Sequence, residues 1–379
     1  MSQSLSQLLQ RAALAAGLLL FCGIDGAVAA QAKPTWEQEW EKTLEAAKKE
    51  GEVTVYIAGY EAVLPDFEKD YPDIKLVAVA ARGSDLAQRL AAERRAEKYL
   101  ADVYSAGGGS LYRLLYHGKM LDPITPVLIL PEVTDQSKWY QQKHHYSDPE
   151  GQYIFNYVGS ATYGGVSYNS KLVDPKQFKS YWDLLDPKWK GKILARDIRT
   201  AGPGSGNARF FYHHPELGAP FIRKLFGEMD VTLFRDYRQG PDWLAVGKYS
   251  ICFSCDVDVL KDQGLPVDTI GPNVFKEGGA MVQQFGSLTL VNRAPHPNAA
   301  KVFINWLLSR RGQIALQKRL ANSESPADSL RIDIPKDDVL LLVRRLEGVK
   351  YLDASKPEWL SMKPILKVMN EALKAAGRN

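Results

Sequence analysis

The stretch "RGSDLAQRLAAERRAEKYLADVYSAGGGSL", Arg82 to Leu111, decides the fold. Ser84 and Asp85 are capping residues at the head of a helix over 83–98. "ADVYSA" (101–106) reads as a strand, and "GGGSLYRLLYHG" (107–118) enters a second helix through a run of glycines. Upstream, "WEQEWEKTLEAAKKEG" (36–51) is a helix with Gly51 as its stop signal. "EVTVYIA" (52–58) is a strand, "AVLPDFEKDYP" (62–72) a helix and "IKLVAVAA" (74–81) a strand. Strand and helix alternate as in a parallel sheet flanked by helices. Ligands of such sheets sit at the carboxyl ends of strands. Those ends carry Gly59 and Tyr60, then Arg82, Gly83 and Ser84, then Gly107 to Gly109.

A second unit of the same kind follows. "GGVSYN" (164–169) is a strand, and "YWDLLDPKWKGKI" (181–193) a helix and loop entering another strand. "DIRTAGPGSGNARFFYHHP" (197–215) sets Gly204, Ser205 and Gly206 ahead of a helix. "PFIRKLFGEM" (220–229) is helical and "VTLFRD" (231–236) a strand. "YSICFS" is a strand running into a short helix at "DVDVLKDQG", with Asp256 as its cap.

The N-terminus bears on the cysteines of that junction. Residues 12–24, "AALAAGLLLFCGI", form an apolar run too short to span a bilayer, followed by small residues in "DGAVAAQA". Residues 1–32 read as a secretory signal peptide cleaved between Ala29 and Lys33. Phe21 precedes Cys22 where a lipoprotein signal needs a small residue, so a free exported protein is expected. Of the three cysteines, Cys252 and Cys255 remain. An oxidising compartment permits a disulfide. On one continuous strand, however, residues three apart face opposite ways. Two buried thiols are therefore the preferred reading, with a structural disulfide left open. A redox pair lacks the helix N-terminus that stabilises its thiolate, and zinc lacks a second ligand pair.

Composition excludes several classes. The net charge of +4 is unchanged by removing a leader that carries one Arg and one Asp. No basic stripe interleaved with aromatics appears, so no nucleic-acid partner is expected. Later apolar runs are too short for a membrane span. A length of 379 residues with 45% hydrophobic composition suits two domains with real cores.

Seven segments in chain order carry a resemblance: "GEVTVYIA", "FEKDYPDIKL", the stretch 82–111, "GVSYNSKLV", "WDLLDPKWKGKI", "EGGA" and "HPNAAKVFINWLLSRRGQIAL". Between about Gly51 and Leu320 the chain resembles the periplasmic substrate-binding proteins of ABC importers, in their two-lobed (type II) class and nearest the ferric-ion-binding branch. The resemblance implies an α/β fold of two helix-flanked lobes with a ligand cleft between them, hinge closure, a small-molecule ligand and a membrane permease as partner. Lobe 1 is expected to hold 33–125 and 278–325, and lobe 2 to hold 126–277. A C-terminal helical segment, 326–379, is expected to pack on lobe 2. The protein is expected to be periplasmic, monomeric, without cofactor and not an enzyme.

Iron-binding members supply a His or similar ligand after the first strand, often an acid after the third, and a tyrosine pair near the later strand–helix junction. This chain has Tyr60, Ala106 and Cys255-Asp256-Val257 at those places. Ferric iron wants several anionic oxygens, and only Tyr60 and Asp256 offer them. The small-anion site implied by the resemblance falls on "GSATYGG" (159–165), with Ser160, Ala161, Thr162 and Tyr163. The Gly-rich helix starts, with Ser84, Gly107, Gly108 and Ser205, add backbone N–H groups. Arg82, Arg199 and Arg238 near strand ends can pair with a carboxylate or phosphate. Tyr60, Tyr163 and Phe253 can form an apolar wall, and Cys255 and Asp256 lie at the same edge. A small organic anion (carboxylate, phosphonate or phosphate ester) is the expected ligand, with ferric iron the alternative. A secreted hydrolase is the competing class. It would need a nucleophile with a base, and neither G-x-S-x-G nor H-E-x-x-H occurs.

Overall fold

The computed structural model describes residues 35–199, 204–341 and 343–378. The expected leader, its cleavage region and Cys22 lie outside the described residues. The first helix, Trp36–Glu50, carries Glu37 and Glu39 in its first turn and Lys48 and Lys49 in its last, each complementing the helix dipole. Gly51, at φ +77°, ends it.

Strands β1 (Glu52–Ile57), β2 (Lys75–Ala80) and β3 (Val103–Ala106) are parallel, with β1 in the middle. The helix Gly83–Arg95 joins the latter two. Its cap is the extended Arg82, two residues before the Ser84–Asp85 cap expected, and the Arg82 carbonyl accepts the N–H groups of Asp85 and Leu86. Strands β4 (Leu121–Asp122), β5 (His145–Tyr146) and β6 (Phe155–Asn156) follow. The chain then leaves along β7 (Ser160–Tyr163).

The second sheet takes β8 (Val166–Asn169), β9 (Ile193–Arg196), β10 (Thr232–Phe234), β11 (Ile251–Phe253) and β12 (Val267–Ile270), in the order β10-β9-β11-β8-β12. The chain returns along β13 (Gly279–Val282), which is antiparallel to β7. It then enters the first sheet as β14 (Ser287–Val291), antiparallel to β3. The first sheet thus runs β2-β1-β3-β14-β6-β5, with β4 also on β14. Strand β15 (Tyr351–Asp353) joins β13, so a small sheet β15-β13-β7 contains both crossings.

Each large sheet has its own core. Val53, Val55 and Ile57 of β1 pack with Val302, Phe303 and Trp306 of the helix Pro297–Leu308. Buried Asn305 on that helix is fully used: its carbonyl oxygen accepts N–H groups from Ile129 (2.7 Å) and Leu130 (3.1 Å), and its amide donates to the Val127 carbonyl (2.7 Å). The second core joins Ile193, Ile251 and Phe253 to Phe211, Phe221 and Ile222 of the helices Gly204–His213 and Gly218–Gly227.

Two boundaries differ from the sequence expectation. The segment 126–157, assigned to lobe 2, contributes β5 and β6 to the first sheet. The Asp148 carboxylate closes their connection by accepting from the N–H groups of Gln152, Tyr153 and Ile154. The C-terminal segment is divided. Ala327 and Leu330 lie in the first core, whereas Ile365, Met369 and Leu373 of the helix Lys363–Ala375 lie in the second.

The cysteines also differ: Cys252 and Cys255 form a disulfide, with Cα atoms 5.8 Å apart. The strand expected through Cys255 stops at Phe253, because Ser254 takes a left-handed φ of 68° and turns the chain back. The opposite-face argument holds only for continuous strand.

Candidate functional site

A cleft of about 1370 Å³ lies where the carboxyl ends of β2, β3, β9 and β11 come together. From the first lobe, Gly83 and Ser84 line it at the start of the helix Gly83–Arg95, and Gly107 to Ser110 after β3. From the second, Ser205, Gly206, Asn207 and Arg209 line it at the start of the helix Gly204–His213. The first N–H groups of both helices lack intrahelical acceptors, and both helices present their positive ends. Ser254 to Asp258 form the next stretch of wall. Leu341, Arg344, Leu346, Tyr351 and Ala354 reach the cleft from the C-terminal segment.

The second-lobe wall is held by a compact set of bonds. The Asn207 side chain accepts from the Gly164 N–H (3.1 Å) and donates to the Gly165 carbonyl (3.4 Å) and the Ser254 hydroxyl (3.2 Å). Ser167 donates to the Cys255 carbonyl (2.9 Å). The disulfide joins this turn to β11. Asp256 accepts from the Asp258 N–H (3.4 Å), so it lies just ahead of the helix Asp258–Asp262.

On the cleft wall, Gln284 is a junction. Its side-chain oxygen accepts from the Tyr60 hydroxyl (3.0 Å) and the Ser160 hydroxyl (3.1 Å). Gly107 and Gly108 pack against this segment. A Cβ on Gly107 would fall 2.9 Å from the Gln284 carbonyl oxygen, and one on Gly108 would fall 2.4 Å from the Gln283 amide nitrogen.

Of the residues singled out from sequence, Ser84, Gly107, Gly108, Ala161, Ser205, Cys255 and Asp256 line the cleft. Others lie elsewhere. Tyr60 is fully buried, and burial pushes its hydroxyl well above the usual tyrosine range. Ser160 is buried behind the wall and also accepts from the Asp328 N–H. Phe253 is buried in the second core. Arg82 is exposed at its helix start, and Arg238 is exposed at the head of the helix Gln239–Ala245. Arg199 grips buried Asp197 through two hydrogen bonds of 2.9 and 3.1 Å. Thr162 and Tyr163 lie on β7, and their side chains fall outside the described residues.

The sequence reading missed Arg209 and Arg344. Arg209 follows Ser205 by four residues, one helical turn, and that spacing places both on one face. Its Nε is buried without a partner, and among the described residues it has no carboxylate partner. Arg344 has no comparable signal, because its segment is irregular. Among the described residues no cluster of three or more His, Cys, Asp or Glu is placed to hold a metal, and no helix is long and apolar enough to cross a membrane.

Residues 50–314 match the family model described as bacterial extracellular solute-binding protein. A spermidine/putrescine-binding periplasmic protein of Escherichia coli K12 is 30% identical over 173 residues, 42% of this chain and 46% of that protein. An uncharacterized protein of Haemophilus influenzae is 26% identical over 174 residues, 43% and 47%. The chain thus spans about half the length of the curated relatives it matches. Among solved structures, Trichodesmium IdiA/FutA in complex with iron and citrate superposes with a TM-score of 0.57 at 18% identity, covering 87% of this chain and 100% of that one. Apo FutA2 of Synechocystis PCC6803 gives 0.56 at 15%, covering 85% and 98%. At these identities the shared property is the two-lobed periplasmic-binding fold. With its helix-flanked sheets, crossing strands and cleft, the chain belongs to the bacterial extracellular solute-binding proteins.

Proposed function

We propose that this protein is exported to the periplasm, captures a small organic anion (a carboxylate, phosphonate or phosphate ester) and delivers it to a membrane permease without chemical change. The observation that carries the ligand class is Arg209, a guanidinium that has no carboxylate partner among the described residues, on the first turns of the helix Gly204–His213 and lining a cleft that also takes the start of the helix Gly83–Arg95. Asp256 and Asp258 line the same cleft, and Asp256 is engaged by the Asp258 N–H at 3.4 Å. Arg209 has no carboxylate partner among the described residues, and an anionic ligand supplies one.

Isothermal titration calorimetry against small carboxylates, phosphonates and phosphate esters tests the reading, with spermidine as the cationic control. Arg209→Gln is expected to weaken anion binding at least tenfold. A charge-assisted hydrogen bond contributes about 1.5–3 kcal/mol, and about 1.4 kcal/mol is a factor of ten. Tight spermidine binding without anion binding would reverse the assignment.

A further inference from the structure

Arg344 carries the reading one step further. It lies in the C-terminal segment, beyond the residues that match the family. Its Nε donates to the Val339 carbonyl at 3.1 Å, and its Nη2 donates to the same oxygen at 2.6 Å and to the Asp337 carbonyl at 3.5 Å. Backbone carbonyls therefore fix one edge of the guanidinium. The Nη1 edge makes no bond among the described residues, and no carboxylate pairs with the group. Arg344 lines the same cleft as Arg209 from a different segment of the chain. Leu341, which is 73% exposed, and Leu346 line the same cleft from the same segment as Arg344, so that segment brings hydrocarbon as well as charge to the cleft.

We infer that the ligand carries two separated anionic groups on a hydrocarbon spacer, one group at Arg209 and the helix start, the other at Arg344, with the spacer against the leucines. This rests on the anion reading above. A monoanion would leave one guanidinium uncompensated inside a cleft that closure would dry, and leaving a charge unpaired there is costly. Rigid carbonyl anchoring suits Arg344 to selecting among anions, since its fork is oriented before the ligand arrives.

The test is calorimetry with matched pairs sharing a carbon skeleton: adipate against hexanoate, phthalate against benzoate, phosphonoacetate against acetate. At least one dianion is expected to bind ten or more times more tightly than its monoanion partner. Arg344→Gln should remove that advantage by weakening the dianion, while the monoanion, no longer burying an unpaired charge, binds at least as tightly as before, and Arg209→Gln should weaken both. Thermal melts of each variant confirm folding, and Arg344→Lys, which keeps the charge without the fork, should restore part of the preference. Anion binding that is equal within every pair, or a dianion preference indifferent to Arg344→Gln, overturns this inference and leaves the anion reading standing. Failure of every anion to bind overturns both.

Discussion

Gly107 shows how a residue that looks made for a ligand is first required by the fold. A Cβ there would fall 2.9 Å from the Gln284 carbonyl oxygen, and backbone cannot swing aside as a side chain can. Gly107→Ala is therefore expected to cost about 1–3 kcal/mol in urea unfolding, as overpacking does. It should also weaken ligand binding, since Gln284 lines the cleft; unchanged stability and affinity would show that the contact yields freely. Tyr60 makes the complementary point. Its hydroxyl is spent on Gln284 and its titration is pushed far upward by burial, so it is poorly placed to become a tyrosinate ligand. Ferric citrate is expected to raise no visible charge-transfer band. Tyr60→Phe should cost only about 0.5–1.5 kcal/mol, the usual net worth of one hydrogen bond. A coloured complex lost in Tyr60→Phe would restore iron as the cargo. Arg199 was a reasonable sequence candidate, but Asp197, two residues earlier, takes its charge. Nothing in the linear pattern says which of two nearby arginines is the one left unpaired.

Among the elements, the turn after β11 depends on three separate ties: the disulfide, the Asn207–Ser254 bond and the Ser167–Cys255 bond. Replacing both cysteines by serine removes only the first. For so short a loop, chain entropy puts the disulfide's worth at about 2 kcal/mol. Urea unfolding of Cys252→Ser/Cys255→Ser should show that loss, with ligand affinity held within a few-fold by the two remaining ties; a collapse of affinity at intact stability would give the disulfide a direct part in the site. The C-terminal segment has an electrostatic anchor of its own. Lys336 donates to Gln317, Asp328 and the Ser329 carbonyl, and Arg345 pairs with Asp328 from another side. Burial is the main reason that Lys336 titrates at about 8 instead of 10.5, with Asp328 opposing the shift. The folded state thus holds fewer protons than the unfolded chain between those values. Stability from this group must rise with pH through that window, and the cost of burying the charge is fully present below it. Measured against Lys336→Met, the wild type should gain stability between about pH 8 and 10; a parallel response of the two proteins would remove Lys336 from the account. These elements also show what sequence reveals. The β1, β2, β3 and helix rhythm was legible because apolar periodicity is local. The crossing strands were not, since β13 and β15 are only four and three residues long and are defined by partners far away in the chain.

At the scale of the whole molecule, the small sheet β15-β13-β7 lies where the chain passes between the two large sheets. On the proposed reading it is the hinge. Gln284, at a left-handed φ of 48°, sits just past β13 and receives the hydroxyls of Tyr60 and Ser160. A change in the angle between lobes can be absorbed at a few such element ends. The ligand can favour the closed form only through contacts that both lobes must make together. On that reading Arg209 would act from the second lobe, and the helix start at Gly83 and Ser84 from the first; all three line the cleft. Shifting a population from mostly open to mostly closed needs about 5.5 kcal/mol of preference for the closed state. Two to four charge-assisted bonds of about 1.5–3 kcal/mol each supply that amount. Small-angle scattering on the mature protein should therefore show a smaller radius of gyration with saturating ligand than without. Arg209→Gln at the same ligand concentration should stay nearer the open value. Full-strength binding with no compaction would mean that one lobe holds the ligand alone, and that the crossing sheet is a rigid brace and not a hinge.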